Sequence, residues 1–152
     1  MVAQFLIGVL VVVMAGIGIG NMGKGDLGNF LGRGDVQYVA VCDVKKQARD
    51  SAKNRADQKY GNTDCAAYND FRELVTREDI DAIHCATPDH WHAIPLIEAC
   101  KAGKDVYCEK PLSLYLREGR ALVQAARKFG RVVQHGTQQR TMEMNRFSCE
   151  FV

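Results

Sequence analysis

Residues able to do chemistry stand at a few places in this 152-residue chain. The first is Gly18-Ile19-Gly20-Asn21-Met22-Gly23, which follows the apolar, β-branched run Val11-Val12-Val13. Its G-x-G-x-x-G spacing suits a turn that cradles a pyrophosphate. The first glycine permits the tight turn, the second lets backbone amides approach the phosphates, and the third lets the next helix lie close to the strand. Gly18, Gly20, Asn21, Met22 and Gly23 are thus candidate cofactor-binding residues. With 14 glycines in the chain such a spacing also arises by chance, and the other reading is a flexible Gly-rich loop. The second place is Asp43, 20 residues beyond Gly23 at the end of the run Val36–Cys42. A carboxylate there can take the ribose hydroxyls of an adenosine, and its charge disfavours a 2′-phosphate. NAD is therefore expected over NADP, with Lys45 and Lys46 tempering the preference. Asp43 can also cap the helix that follows, and one carboxylate can do both.

The elements that must position these residues alternate along the chain. Strands are expected from Val11, at Val36–Cys42, Asp81–Ala86, Asp105–Cys108 and Arg131–Gln134. Between them lie a short helix over Lys24–Leu31, weakened by Gly25 and Gly28, and a helix over Val44–Tyr60. The latter carries Ala48, Ala52 and Ala56 as an i, i+4 stripe suited to close packing on a sheet. Asp70 is expected to cap a further helix, with Glu73 as its reciprocal partner. A helix over Ile94–Lys101 tolerates Pro95 in its first turn. The helix over Leu116–Phe129 is stopped by Gly130, and the chain ends at Phe151-Val152 within what reads as another helix. This alternation predicts an α/β fold: a doubly wound parallel sheet with helices on both faces, in one domain over residues 1–152. In such a sheet ligands bind at the carboxyl ends of the strands. The unusual residues gather there: the glycine turn, Asp43, Thr87-Pro88-Asp89-His90-Trp91-His92, Glu109-Lys110-Pro111 and His135-Gly136-Thr137-Gln138.

Composition is that of an ordinary soluble globular protein, 47% hydrophobic and 25% charged. A formal net charge of +2, with scattered basic residues, gives no reason to expect nucleic acid or an anionic membrane as partner. The six cysteines form no C-x-x-C pair and no Cys/His knuckle, so no metal site is expected, and they read as reduced thiols of a cytoplasmic protein. The run Phe5–Ala15 is apolar, but the first basic residue is Lys24, and about 11 residues cannot span a bilayer. It reads as a first strand with an apolar lead-in rather than a signal peptide.

The runs A-T-P-D-H-W-H (Ala86–His92), C-K-A-G-K-D-V-Y-C-E-K-P-L-S (Cys100–Ser113) and G-R-V-V-Q-H-G-T-Q-Q-R (Gly130–Arg140) closely resemble the Gfo/Idh/MocA oxidoreductases, over roughly Ala15–Val152. The resemblance implies an N-terminal NAD-binding Rossmann domain. It also implies that Lys110 is the catalytic lysine, that Glu109 positions the cofactor, and that the Lys110–Pro111 bond is cis. An ammonium beside a carbinol oxygen stabilises the alkoxide that develops as hydride leaves, and partial desolvation would bring its pKa towards the working range. Thr87, Pro88, Asp89 and His92 match the family's loop beside the nicotinamide half of the cofactor, where Trp91 could add an apolar wall. Gln138 and Arg140 match positions on the substrate side. His84 reads as a satisfied interior histidine, and His135 carries no assignment.

Two departures stand out. Tyr115 replaces a capping threonine, which costs on the order of 1 kcal/mol. Family members also continue into a second domain that supplies most of the substrate pocket, a catalytic histidine and the interface of a homo-oligomer. The expected function is hydride transfer between NAD and a secondary alcohol of a sugar or cyclitol, with this chain alone binding cofactor without turnover. The alternatives are a catalytically inactive NAD-binding fragment and an NAD-dependent glycoside hydrolase of the same family.

Overall fold

The computed structural model describes residues 11–151 of the chain; the lead-in before Val11, with the signal-peptide question, lies outside them. Six strands form one parallel sheet: β1 (Val12–Ile17), β2 (Val36–Cys42), β3 (Ala66–Tyr68), β4 (Ala82–Cys85), β5 (Asp105–Glu109) and β6 (Val133–Gly136), in the order β3-β2-β1-β4-β5-β6. The helices are α1 (Asn21–Leu31), α2 (Lys46–Tyr60), α3 (Phe71–Val75), α4 (Ala93–Lys101), α5 (Leu116–Phe129) and α6 (Glu143–Glu150). Strand order reverses between β1 and β4, so the crevice of a doubly wound sheet opens at their carboxyl ends.

Two apolar layers cover the sheet. On one face Leu27 and Leu31 of α1 and Ala52 and Ala56 of α2 pack on Met14 and Tyr38. On the other, Leu74, Leu96 and Leu122 from α3, α4 and α5 pack on Ala15, Ile83, Val106 and Cys108. The small residues of α2 serve as expected, letting the helix approach the strands. Gly16 has its own reason to lack a side chain, since a Cβ there would overlap the Tyr38 hydroxyl. That hydroxyl reaches His84 Nδ1 at 3.2 Å, and His84 Nε2 lies 3.1 Å from Asp26 Oδ2. His84 is thus a fully buried histidine with both nitrogens partnered. All six cysteines are free, and Cys149 alone of them is exposed.

Several boundaries differ from the sequence expectation for local physical reasons. β6 starts at Val133, not Arg131, because Arg131 completes the end of α5: its amide donates to Ala126 O (2.9 Å) and its side chain to Phe129 O and Gly103 O. Helix α2 starts at Lys46, because Asp43 Oδ1 takes the Lys45 amide in a turn ahead of it. Asp70 does cap α3, accepting from Arg72 N at 2.9 Å, but among the described residues Glu73 returns no bond to it. At α5 the cap is half kept: Glu118 Oε2 accepts the amides of Leu114 and Tyr115, while the Tyr115 side chain caps nothing. The short edge strand β3 has no counterpart among the expected strands, because its three residues carry no alternation to read.

Candidate cofactor and active site

The glycine turn sits at the reversal point, and its three glycines meet three different surroundings. Gly18 has φ +79° and donates its amide to Cys42 O at 2.9 Å; a Cβ there would collide with the Thr87 backbone. A Cβ on Gly23 would overlap the Gly18 carbonyl, so α1 can pass this close to the turn only with glycine. Around Gly20 a Cβ would meet nothing within 4 Å. Gly20 is also the N-cap of α1, whose start has no side-chain cap and no acidic residue in its first turn. The amides of Asn21 and Met22 thus begin a helix whose positive end is left for an anion. The helix starts three residues earlier than expected because the turn's last glycine belongs to it.

With Lys45 as the N-cap of α2 and no side-chain cap hydrogen bond there, the half-buried Asp43 does not cap that helix but bridges the glycine turn and the turn ahead of α2. Its Oδ2 accepts the Ile19 amide at 2.9 Å and its Oδ1 the Lys45 amide at 2.8 Å, so it fixes the glycine turn and leads into α2. Each carboxylate oxygen keeps a second lone pair for a hydroxyl donor. Beside the carboxylate lies a cavity of about 460 Å³, bounded by Gly18, Asp43, Phe71, Thr87, Pro88 and Trp91. A second, of about 280 Å³, lies on the other side of the turn between Asn21, Lys24, Lys45 and Ser51.

At the end of β4, Thr87, Pro88 and Asp89 lead into a 3₁₀ turn over Asp89–Trp91. Pro88, Asp89, His90 and Trp91 are exposed, and Thr87 is half-buried with its hydroxyl 3.5 Å from Cys85 Sγ. His92 is placed differently from its neighbours. It is 1% exposed, its Nε2 lies 2.7 Å from Thr87 O, and its Nδ1 is hydrogen-bonded to Pro111 O. As a direct cofactor contact it is corrected: both ring nitrogens are committed to backbone beneath the crevice.

At the end of β5 stands Glu109, 3% exposed, with the Tyr107 hydroxyl donating to its Oε1 at 3.1 Å. Its Oε2 is buried without a hydrogen-bond partner, an arrangement that calls for a donor from outside the protein. Gly136, paired across from Glu109 on β6, leaves the space: a Cβ there would stand 2.6 Å from Glu109 Oε1. Lys110 follows, exposed, in a cis peptide bond to Pro111, and its ammonium makes no ion pair or hydrogen bond among the described residues. The desolvation expected of Lys110 is therefore not supplied by the described residues. Gln138 and Arg140 fall in an exposed 3₁₀ turn over Gln138–Thr141 after the edge strand β6. They share the rim, and among the described residues neither makes a hydrogen bond or ion pair with another site residue. His135 is half-buried with Nε2 unpartnered.

Sequence reasoning gave no role to Tyr107, to Gly136 or to Phe71, the first residue of α3. The first two show only once β5 and β6 are paired, and Phe71 depends on the unplaced strand β3. On the donor set, the residues fit a dinucleotide. An open amide cradle stands at one end of the crevice, a carboxylate with free lone pairs beside it, and an orphaned buried carboxylate oxygen with a free ammonium at the other end.

Parallel sheet order, glycine turn and rim residues together define a dinucleotide-binding Rossmann domain of the oxidoreductase type. The family model of the Gfo/Idh/MocA oxidoreductases, an NAD-binding Rossmann fold, matches residues 11–137. The chain belongs to that family, and its cofactor is NAD. Among its relatives are a glycosyl hydrolase family 109 protein of Saccharopolyspora erythraea, 36% identical over 74% of this chain and 25% of the relative, and the 2,7-anhydro-N-acetylneuraminate hydratase of Mediterraneibacter gnavus, 30% identical over 81% and 32%. Solved structures of similar fold include myo-inositol 2-dehydrogenase from Lactobacillus plantarum (TM-score 0.82, 26% identity, 93% of this chain and 40% of that one). Another is scyllo-inositol dehydrogenase from Lactobacillus casei with NAD(H) and scyllo-inositol (TM-score 0.81, 23% identity, 93% and 40%). The chain thus spans about a quarter of the length of the first of these relatives and two-fifths of the solved structures.

Proposed function

We propose that this chain is the cofactor-holding part of a cytoplasmic, homo-oligomeric enzyme that oxidises a secondary alcohol of a sugar or cyclitol. Bound NAD would supply the hydride acceptor. The amides from Gly20 to Met22 would hold the pyrophosphate, with Gly18 and Gly23 shaping the turn. Asp43 would accept from the adenosine ribose, and its charge disfavours NADP. Thr87, Pro88 and Asp89 would flank the nicotinamide half, and Glu109 Oε2 would accept from a hydroxyl there. Lys110 would stabilise the developing alkoxide through its ammonium, with Gln138 and Arg140 towards the substrate.

The observation that carries this reading is the pairing of the orphaned Glu109 Oε2 with the uncommitted Lys110 on the same rim as the open Gly20 cradle. Calorimetric titration of the chain tests it. Saturable NAD binding, micromolar or weaker, at least about tenfold tighter than NADP and without NADH formation when polyols are added, is the expected result. Absence of NAD binding overturns it. A hydrolytic reaction is the second reading, because relatives at 30–36% identity include glycosyl hydrolase family 109 proteins. In the whole protein, sugar release without net NADH would select it.

A further inference from the structure

We propose that His92 is a positioning residue: as an imidazolium it ties the Thr87 carbonyl to the Pro111 carbonyl, so that the nicotinamide-side loop and the Lys110 turn are held as one unit. The inference rests on the cofactor reading above for its consequence, but its chemistry stands on the two hydrogen bonds. Both partners of the ring are carbonyl oxygens, which only accept. A neutral ring carries one N–H, so one nitrogen would present a lone pair to a carbonyl oxygen inside the protein. Both bonds form together only when each nitrogen bears a proton. A flipped ring does not resolve the conflict, because it turns carbon atoms towards both carbonyls.

The two carbonyls belong to the two loops that matter. Thr87 opens the segment after β4, and Pro111 follows Lys110 after β5. Among the described residues no other side chain hydrogen-bonds both loops, and His92 does so from a position 1% exposed. The groups around it act in both directions. Its place at the N-terminal end of α4 opposes a positive charge. Cys85 at the end of β4 favours it: that thiol is drawn down chiefly by its side-chain contact with Cys108 and, against its burial, by Thr87. Asp89 and His90 lie in its own segment, and Glu109 and Lys110 adjoin Pro111. Loss of one ring proton removes one of the two bonds and frees one loop from the other.

Long-range ¹H–¹⁵N spectra of the 152-residue chain at neutral pH test the first half. The resonance of His92 is identified by its absence from a His92→Gln variant. Both ring nitrogens in the protonated range are expected, and a neutral-tautomer pattern overturns the proposal. The consequence is read by titrating NAD and ADP into both proteins, since ADP lacks the nicotinamide half. In His92→Gln, NAD affinity is expected to fall about fivefold to tenfold with ADP affinity unchanged. An equal loss for both ligands, or no loss for either, overturns the positioning role. If the variant does not fold, the His92 ring is assigned in the wild-type chain by through-bond correlation to its own backbone, and the wild-type chain decides. The ratio of NAD to ADP affinity must fall as the His92 ring loses its proton in the same spectra, and a constant ratio overturns the proposal. Failure of the wild-type chain to bind either ligand would sink the cofactor reading while leaving the spectra of His92 to be judged by themselves.

Discussion

Gly20 and Gly23 are three residues apart in one motif, yet substitution should separate them cleanly. A methyl on Gly23 overlaps the Gly18 carbonyl, whereas one on Gly20 enters open space. Gly23→Ala is therefore expected to destabilise the chain by about 1–3 kcal/mol, read as a lowered denaturation midpoint. Gly20→Ala should leave stability within about 0.5 kcal/mol and weaken NAD binding tenfold or more, by about 1.4 kcal/mol. Equal effects of the two on stability would contradict this division of roles. Asp57 gives a pH signature away from the site. Burial works against its charge, but the Lys53 ammonium at 2.7 Å and the Cys65 amide at 3.0 Å hold its carboxyl below the usual carboxylate range. A depressed carboxylate stabilises the fold above the unfolded value of about 3.9 and loses that contribution as pH falls through its lower folded value. Asp57→Asn should melt below the wild type at pH 7, and the gap should close below about pH 4. At this scale the sequence was readable where backbone geometry demands a residue type, as at Gly18 and Asp43. It was not readable at His92, whose partners are carbonyls of residues five and nineteen positions away.

Among the elements, β2 and α5 have the bounds read from their residues, because each carries its own stop: Asp43 after one, Gly130 at φ +62° after the other. The strand expected from Arg131 begins only at Val133, because that arginine serves the preceding helix. Its amide donates to Ala126 O and its guanidinium to Phe129 O and Gly103 O, contacts invisible until the strands are in order. The fold's order was legible in the alternation of strand and helix, but β3 was too short to show. With it went Phe71 and the wall of the larger cavity. The cap of α5 offers a test at this scale. Tyr115 has the extended backbone of an N-cap and an exposed ring, while Glu118 already supplies the reciprocal half of the capping box. Tyr115→Thr should raise stability by up to about 1 kcal/mol, measured by denaturant unfolding. A loss of stability would mean that the ring packs more than its exposure indicates.

The whole molecule brings two further features into play. Exposed apolar side chains concentrate at Leu116 and along α6, where Met144 and Phe147 are joined by Phe151. The chain is therefore expected to self-associate as concentration rises; a single monomeric boundary in sedimentation at high concentration would count against it. The second feature is the common rim. Glycine turn, Asp43, Thr87 loop, Glu109 and Lys110 come from separate strands and meet only because all strands run parallel and end on the same side. The most direct test is therefore a titration of the ¹⁵N-labelled chain with NAD, followed residue by residue. The predicted result is saturable amide shifts at residues 19–23, at Asp43–Val44, at Thr87–Asp89 and at Glu109–Lys110. Shifts confined to the opposite rim, around Asp35, Lys104 and Arg131, or no saturable shifts at all, would contradict the account.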